Sequence, residues 1–178
     1  MEGLPFYTIG HSNRSIGEFI ELLRDVRTDI LVDIRTVPRS MTNPQFNKDT
    51  LPDSLADFGI AYEHMAALGG LRSKTHSVPA DINGFWINES FHNYADYAFS
   101  DRFQTELAHL LEEGASRRCT IMCAEAVWWR CHRRIVADYL LARGRAVFHV
   151  MAHGRLEPAR LTPGAVVQAT GLIAYPAA

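Results

Sequence analysis

A chain of 178 residues with a hydrophobic fraction of 47% and a charged fraction of 21% has the make-up of an ordinary soluble globular protein. Its formal charge of −2 gives no global attraction to nucleic acid, and no apolar run approaches the ~20 residues that cross a bilayer. Three cysteines at irregular spacing argue against a structural disulfide framework and for reduced thiols.

The opening Met1-Glu-Gly-Leu-Pro5 has neither a basic flank nor an apolar secretory segment, so a cytoplasmic location is expected. Phe6-Tyr-Thr-Ile9 is a short β-type run ending at Gly10. Ser15 to Glu18 has the capping-box pattern, and Phe19, Leu22, Leu23 and Val26 follow at helical spacing. Ile30 to Ile34 is apolar enough to be a strand buried on both faces. Arg35 to Phe46, with Pro38 and Pro44, is loop. A helix is predicted over 48–58, stopping at Gly59, and a third strand over 60–65.

The stretch from Leu68 to Glu89 reads as irregular, and a segment this long inside a compact domain tends to be functional or mobile. Helical spacing resumes near Phe91. Phe103, Leu107, Leu110 and Leu111 mark a helix ending at Gly114. Cys119–Cys123 is a fourth strand, followed by a helix with Ile135, Val136, Leu140 and Leu141 on its apolar positions. Ala146–Val150 is a fifth strand, and the tail predicts a terminal hairpin around Thr170-Gly171. Strands alternating with helices predict a single α/β domain, with a mainly parallel sheet of about five strands flanked by helices.

In such a sheet the loops at the carboxyl ends of the parallel strands share one edge, where ligands bind. Four strand ends carry polar, reactive side chains. The first has His11, Ser12, Asn13 and Arg14, and the second Asp33, Arg35 and Arg39. The third has His64 and the Leu68-Gly69-Gly70 turn. The fourth has Cys123, Glu125, Arg130, Cys131, His132 and Arg133.

Lys48 and Lys74 are the only lysines, so 16 of the 18 Lys and Arg are arginine. The guanidinium fork pairs with phosphate or carboxylate, although a codon bias explains the total equally well. Between Arg117 and Arg134 five arginines face one acid, Glu125. Arg117 and Arg118 precede the fourth strand at the far edge, and Arg134 reads as solvated. Arg35, Arg39, Arg130 and Arg133 remain as candidates to hold an anion, aided by free N–H groups at a helix start.

Cys119 reads as a small core hydrophobe. Cys123 is equally readable as core or as reactive thiol, and Cys131 lies near a helix start and guanidiniums, which favours ionisation. The Cys123-to-Arg130 spacing is one residue longer than the Cys-x5-Arg loop of thiol phosphatases, and Trp128 and Trp129 replace small residues there, so that mechanism is rejected.

A metal set of Cys123, Cys131 and His132 with His11 or His64 is not favoured. There is no CxxC or HxxxH pair, and adjacent Cys131 and His132 do not easily point the same way. Glu125 and Asp33 read either as acid–base groups or as carboxylates that orient arginines, the latter fitting Asp33 best. His11 is a candidate proton carrier. Phe91, Tyr94, Tyr97 and Phe99 offer rings for base stacking, with core packing the better reading for most of them.

Thr8-Ile-Gly-His-Ser-Asn13, Val32-Asp-Ile-Arg-Thr-Val-Pro-Arg-Ser40, Asn43-Pro-Gln-Phe-Asn47, Leu68-Gly-Gly70 and Cys123-Ala-Glu125 with Arg130-Cys-His-Arg133 resemble a bacterial family called domain of unknown function 488. The resemblance runs over about residues 7–164, with five motifs in order. It implies an α/β domain of this size and brings no settled activity or cofactor. Family members usually carry proline where this chain has Trp128.

The mixture of guanidiniums with thiols, an acid and an imidazole points to an enzyme acting on an anionic, phosphate-bearing substrate such as a nucleotide or nucleic acid. His11, Glu125, Cys131 and Cys123 would lie near the reacting atom. Ser12, Asn13, Asp33, Arg35, Arg39, Arg130, His132 and Arg133 would line the binding site. The alternatives are a non-catalytic nucleotide or nucleic-acid binding module and a thiol or metal sensor.

Overall fold

The computed structural model describes residues 3–177 and contains a six-stranded sheet ordered β3-β2-β4-β1-β5-β6. The strands are β1 (Phe6–Gly10), β2 (Ile30–Asp33), β3 (Ala61–His64), β4 (Cys119–Cys123), β5 (Val147–Ala152) and β6 (Arg155–Pro158). The first five run parallel, and β6 pairs antiparallel with β5. The two-residue strands β7 (Val166–Val167) and β8 (Ile173–Ala174) form a separate C-terminal hairpin, as the tail predicted.

Every residue of β2 and of β4 is buried, which is why both read as unbroken apolar runs. Side chains of successive strand residues point to opposite faces, and each face has its own core. On one face Ile9, Leu31, Met122 and Val150 meet α1 (Ile16–Asp25) and α2 (Leu51–Ala56) through Phe19, Leu22, Leu23, Leu51 and Leu55. On the other, Phe6, Ile30, Val32, Ile121 and Val147 meet α3 (Glu89–Tyr97), α4 (Asp101–Ser116) and α5 (Arg133–Ala142).

Local signals and structure mostly agree. Ser15 Oγ accepts the Glu18 N–H at 3.1 Å and caps α1; the Glu18 carboxylate pairs with Arg14 at 3.1 Å. Three differences have physical causes. Gly114 lies inside α4 rather than ending it, and is glycine to make room for the Phe6 ring, which a Cβ there would overlap. The helix predicted over 48–58 shrinks to Leu51–Ala56, beginning with Pro52 in its first turn. The strand β6 was hidden by its exposed, non-alternating residues and by Pro158, tolerated because β6 is an edge. No helix among the described residues is long and apolar enough to cross a membrane.

Candidate functional site

From β1 the chain turns to α1 on one face of the sheet, and from the neighbouring β4 it turns to α5 on the other. Such a switch point parts the two loops and leaves a crevice at the carboxyl ends of the strands. The loops stay joined at their base: Gly10 pairs with Cys123, His11 N–H donates to Cys123 O at 2.9 Å, and Ser12 N–H to Ala124 O at 3.0 Å. The crevice is a cleft of about 760 Å³. It gathers His11, Ser12 and Asn13 from the first strand end and Arg35 and Arg39 from the second. From the fourth it gathers Cys123, Glu125, Arg130, Cys131 and His132. Gly70, Phe91 and Tyr94 are also in the wall, whereas His64 donates through Nε2 to Arg35 O at 2.7 Å and does not line it.

The second strand end is built around an ion pair. Arg35 donates Nε to Asp33 Oδ1 at 2.9 Å and one terminal nitrogen to Asp33 Oδ2 at 2.7 Å, the same nitrogen reaching Phe46 O at 2.7 Å. Asp33 is fully buried and Arg35 nearly so. This two-pronged pairing commits the guanidinium, so Arg35 shapes the wall rather than reaching for an anion, and Asp33 is its orienting partner.

The remaining Arg35 nitrogen lies 3.3 Å from His11 Nε2. His11 Nδ1–H donates to Ser12 O at 2.8 Å, which makes Nε2 the acceptor. Burial lowers the His11 pKa, the adjacent Arg35 charge acts the same way, and the Ser12 carbonyl opposes them. The neutral ring stacks on Phe46, centroids 4.4 Å apart. Both nitrogens are engaged within the protein, which fixes the ring in the wall of the cleft.

At the fourth strand end a short turn, Trp128–Arg130, leads through Cys131 into α5. Arg133, expected to grip the ligand, is wholly buried beneath the turn. One terminal nitrogen donates to Cys123 Sγ at 2.7 Å and to Glu125 O at 2.6 Å; the other reaches Ala126 O at 3.3 Å. Its Nε donates to Thr8 Oγ1 at 3.2 Å, and Thr8 Oγ1 also bonds His149 Nδ1 at 2.7 Å. Burial lowers the Arg133 pKa to about 10, which leaves it charged at neutral pH.

The sulfurs of Cys123 and Cys131 touch as a disulfide pair with Cα atoms 7.4 Å apart, where the sequence suggested separate thiols. Cys119 is the free cysteine, buried in β4, and burial pushes its thiol up to about 12. Cys131 and His132 do face the same way: Cys131 Sγ lies 3.5 Å from His132 Nδ1. His132 Nε2–H donates to Ile34 O at 2.9 Å, so Nδ1 carries the lone pair turned to the sulfur. Burial lowers this imidazole to about 4 and keeps it neutral. A Cβ on Gly70 would stand 3.1 Å from that Nδ1, so glycine lets the third strand end close on the ring.

Three charged groups remain available. Arg130 and Glu125 are exposed at the cleft. Arg39 pairs with Asp49 at 2.9 Å, but with side chains 66% and 70% exposed the pair is weak and yields readily to a ligand. Arg134 is less solvated than expected, lying over the Trp86 ring at 5.1 Å and bonding Thr162. Trp128 does not line the cleft; its ring stacks on His149 at 4.7 Å and anchors the turn to β5. Tyr94 and Tyr97 use their hydroxyls on Leu68 O and Ala67 O, which makes them framework rather than a stacking platform.

His11 and His64 have their facing nitrogens bound to protein groups and complete no cysteine-based metal set. Glu63, His109 and Glu113 bring possible ligand atoms together away from the cleft. The reading of the sequence missed Thr8 and His149, two polar residues inside apolar strands. That anomaly was the available signal, since a buried polar side chain needs a partner.

The model of one protein family, described as a domain of unknown function, DUF488, matches residues 15–140, more than two thirds of the chain. The match takes in Asp33, Arg35, Cys123 and Arg133 and starts just beyond His11. No curated protein and no solved structure matches the chain.

Proposed function

The chain belongs to the DUF488 family, and from that premise we propose that it is an enzyme acting on an anionic, phosphate-bearing substrate such as a nucleotide or a nucleic-acid strand. One observation carries the reading: a single cleft combines two exposed guanidiniums, Arg39 and Arg130, with the Cys123–Cys131 pair and the Glu125 carboxylate. A pure anion receptor needs guanidiniums but neither thiols nor an acid. Arg39 and Arg130 would hold the anion, Ser12 and Asn13 would add polar contacts, and the reacting atom would lie toward the sulfurs. A volume of about 760 Å³ suits a nucleotide-sized group. The net charge of −2 disfavours extended duplex binding. A cytoplasmic location, where thiols are kept reduced, fits a working pair of cysteines.

The test is calorimetric titration with inorganic phosphate, AMP and a short oligonucleotide, followed by product analysis after long incubation. The enzyme reading expects binding that the double variant Arg39→Ala, Arg130→Ala abolishes, and turnover that Cys123→Ser or Glu125→Ala abolishes. Binding without turnover makes the protein a binding module. Absence of binding to all three ligands ends the anion reading.

The contact between the two sulfurs favours a second reading, a dithiol–disulfide redox site. Cycles of reduction and oxidation followed by thiol counting would show two of the three thiols lost and recovered together.

A further inference from the structure

We propose that Cys123 is the nucleophile of the cleft, present in the reduced protein as a thiolate whose counter-ion is the buried guanidinium of Arg133, a positioning residue held by Thr8 and His149. The inference rests on reading the cleft as reactive and names the atom that reacts.

Arg133 is fully buried, and a buried charge is stable only when it is paired. Among the described residues no carboxylate lies within ion-pair distance of it, and the Glu125 charge acts on it only from further off. Its acceptors are the Glu125 and Ala126 carbonyls, the Thr8 hydroxyl and the sulfurs. Sulfur is the one acceptor in that set able to carry a charge. Cys123 Sγ takes a side-chain N–H of Arg133 at 2.7 Å, whereas Cys131 Sγ takes only the Arg133 backbone N–H, at 3.4 Å.

The two thiols also differ in where a proton would go. Cys131 has the His132 Nδ1 lone pair at 3.5 Å, which favours a retained S–H. The acceptor offered to Cys123 is Glu125 O at 3.7 Å, and that oxygen already takes Arg133 N–H at 2.6 Å. Other charges facing the cleft leave the assignment intact. Arg35 is committed to Asp33 and Arg14 to Glu18, His11 and His132 are held neutral, and Arg39, Arg130 and Glu125 are at solvent, where the Glu125 charge reaches Arg133 only at a distance. Thr8 and His149 fix Arg133 from behind: Thr8 Oγ1 accepts its Nε–H, and the hydroxyl donates to His149 Nδ1.

The experiment is alkylation by iodoacetamide of reduced Cys131→Ser protein, followed by peptide mass spectrometry from about pH 5.5 to about pH 9. The Cys123 sulfur forms the new S–C bond and iodide leaves with its electron pair. Cys119, buried and pushed up to about 12, is the unreactive internal reference. The expected profile is already level at neutral pH. Adding Arg133→Met is expected to slow the neutral-pH rate about tenfold, the factor that one pH unit of ionisation represents, and Arg133→Lys to restore most of it. A Cys123 that is not alkylated at any pH, or a rate that still climbs above about pH 8 with Arg133 in place, overturns the proposal, even if the Arg133 variants fail to fold. No phosphate ligand enters the assay, so its failure and that of the anion reading are scored separately.

Discussion

Gly10 packs so closely on the backbone of Glu125 that a Cβ at position 10 would overlap the Glu125 carbonyl oxygen. That carbonyl also accepts the Arg133 guanidinium, so one glycine holds two site loops in register. Gly10→Ala is expected to cost about 1–3 kcal/mol, because backbone rather than a flexible side chain must move. A denaturant midpoint unchanged from wild type would show that the loop adjusts freely.

The two arginines after β2 should separate cleanly. Asp33→Asn leaves the buried Arg35 without its counter-ion and is expected to cost about 3–5 kcal/mol in urea unfolding. Arg39→Ala breaks an exposed pair and is expected to cost less than about 1 kcal/mol. Equal losses for the two would contradict the contrast between a buried and an exposed ion pair.

Under the proposed anion-binding reading, Arg130→Ala is expected to weaken oligonucleotide binding at every sequence tested and to lower the salt slope of the affinity by about one unit. Titration over a series of salt concentrations reads both effects. An unchanged slope removes Arg130 from the binding surface.

Stability should fall with acid in a stated window. Burial, with the charge of Arg133, holds His149 down to about 3, and burial brings His132 down to about 4. Unfolded histidine takes up its proton near ~6.5. Between these values the unfolded state binds more protons than the folded one. The stability that these two histidines contribute is therefore full above about pH 6.5 and is lost as pH falls toward 4 and 3, by up to about 1.4 kcal/mol per pH unit for each histidine. Urea midpoints at about pH 7 and about pH 5 test the sign, and His149→Gln should flatten the dependence.

Trp128 stands where the family resemblance leads one to expect proline, and its ring lies on His149 rather than in the cleft. Trp128→Ala is expected to cost about 1–3 kcal/mol, below the ~3–5 of a fully buried ring. Thermal unfolding of the variant measures it, and a neutral result would mean that the stack does not anchor the turn.

Much of the architecture was legible because its causes are local. Ile30–Asp33 and Cys119–Cys123 read as doubly buried strands from their apolar runs, and Ser15 marked a helix start through its own hydroxyl. Alternation of strand and helix then implied a parallel sheet and a shared carboxyl edge, and with that the meeting of His11, Arg35 and Cys123. The edge strand β6 gave no such signal, since exposed residues and a proline carry no period.

The roles of the site residues depend on side-chain direction and burial, which residues distant in the chain impose on one another. Arg35, Arg39, Arg130 and Arg133 look alike as letters. Asp33 and Phe46 claim the first, exposure leaves the second only weakly held by Asp49 and the third at solvent, and the closing of α5 over β1 seals the fourth against Cys123. Sequence pattern thus determined which segments meet. Only the packed tertiary structure decided which charge is free to meet a ligand, because burial and partner geometry, not residue type, set what a charged group can do.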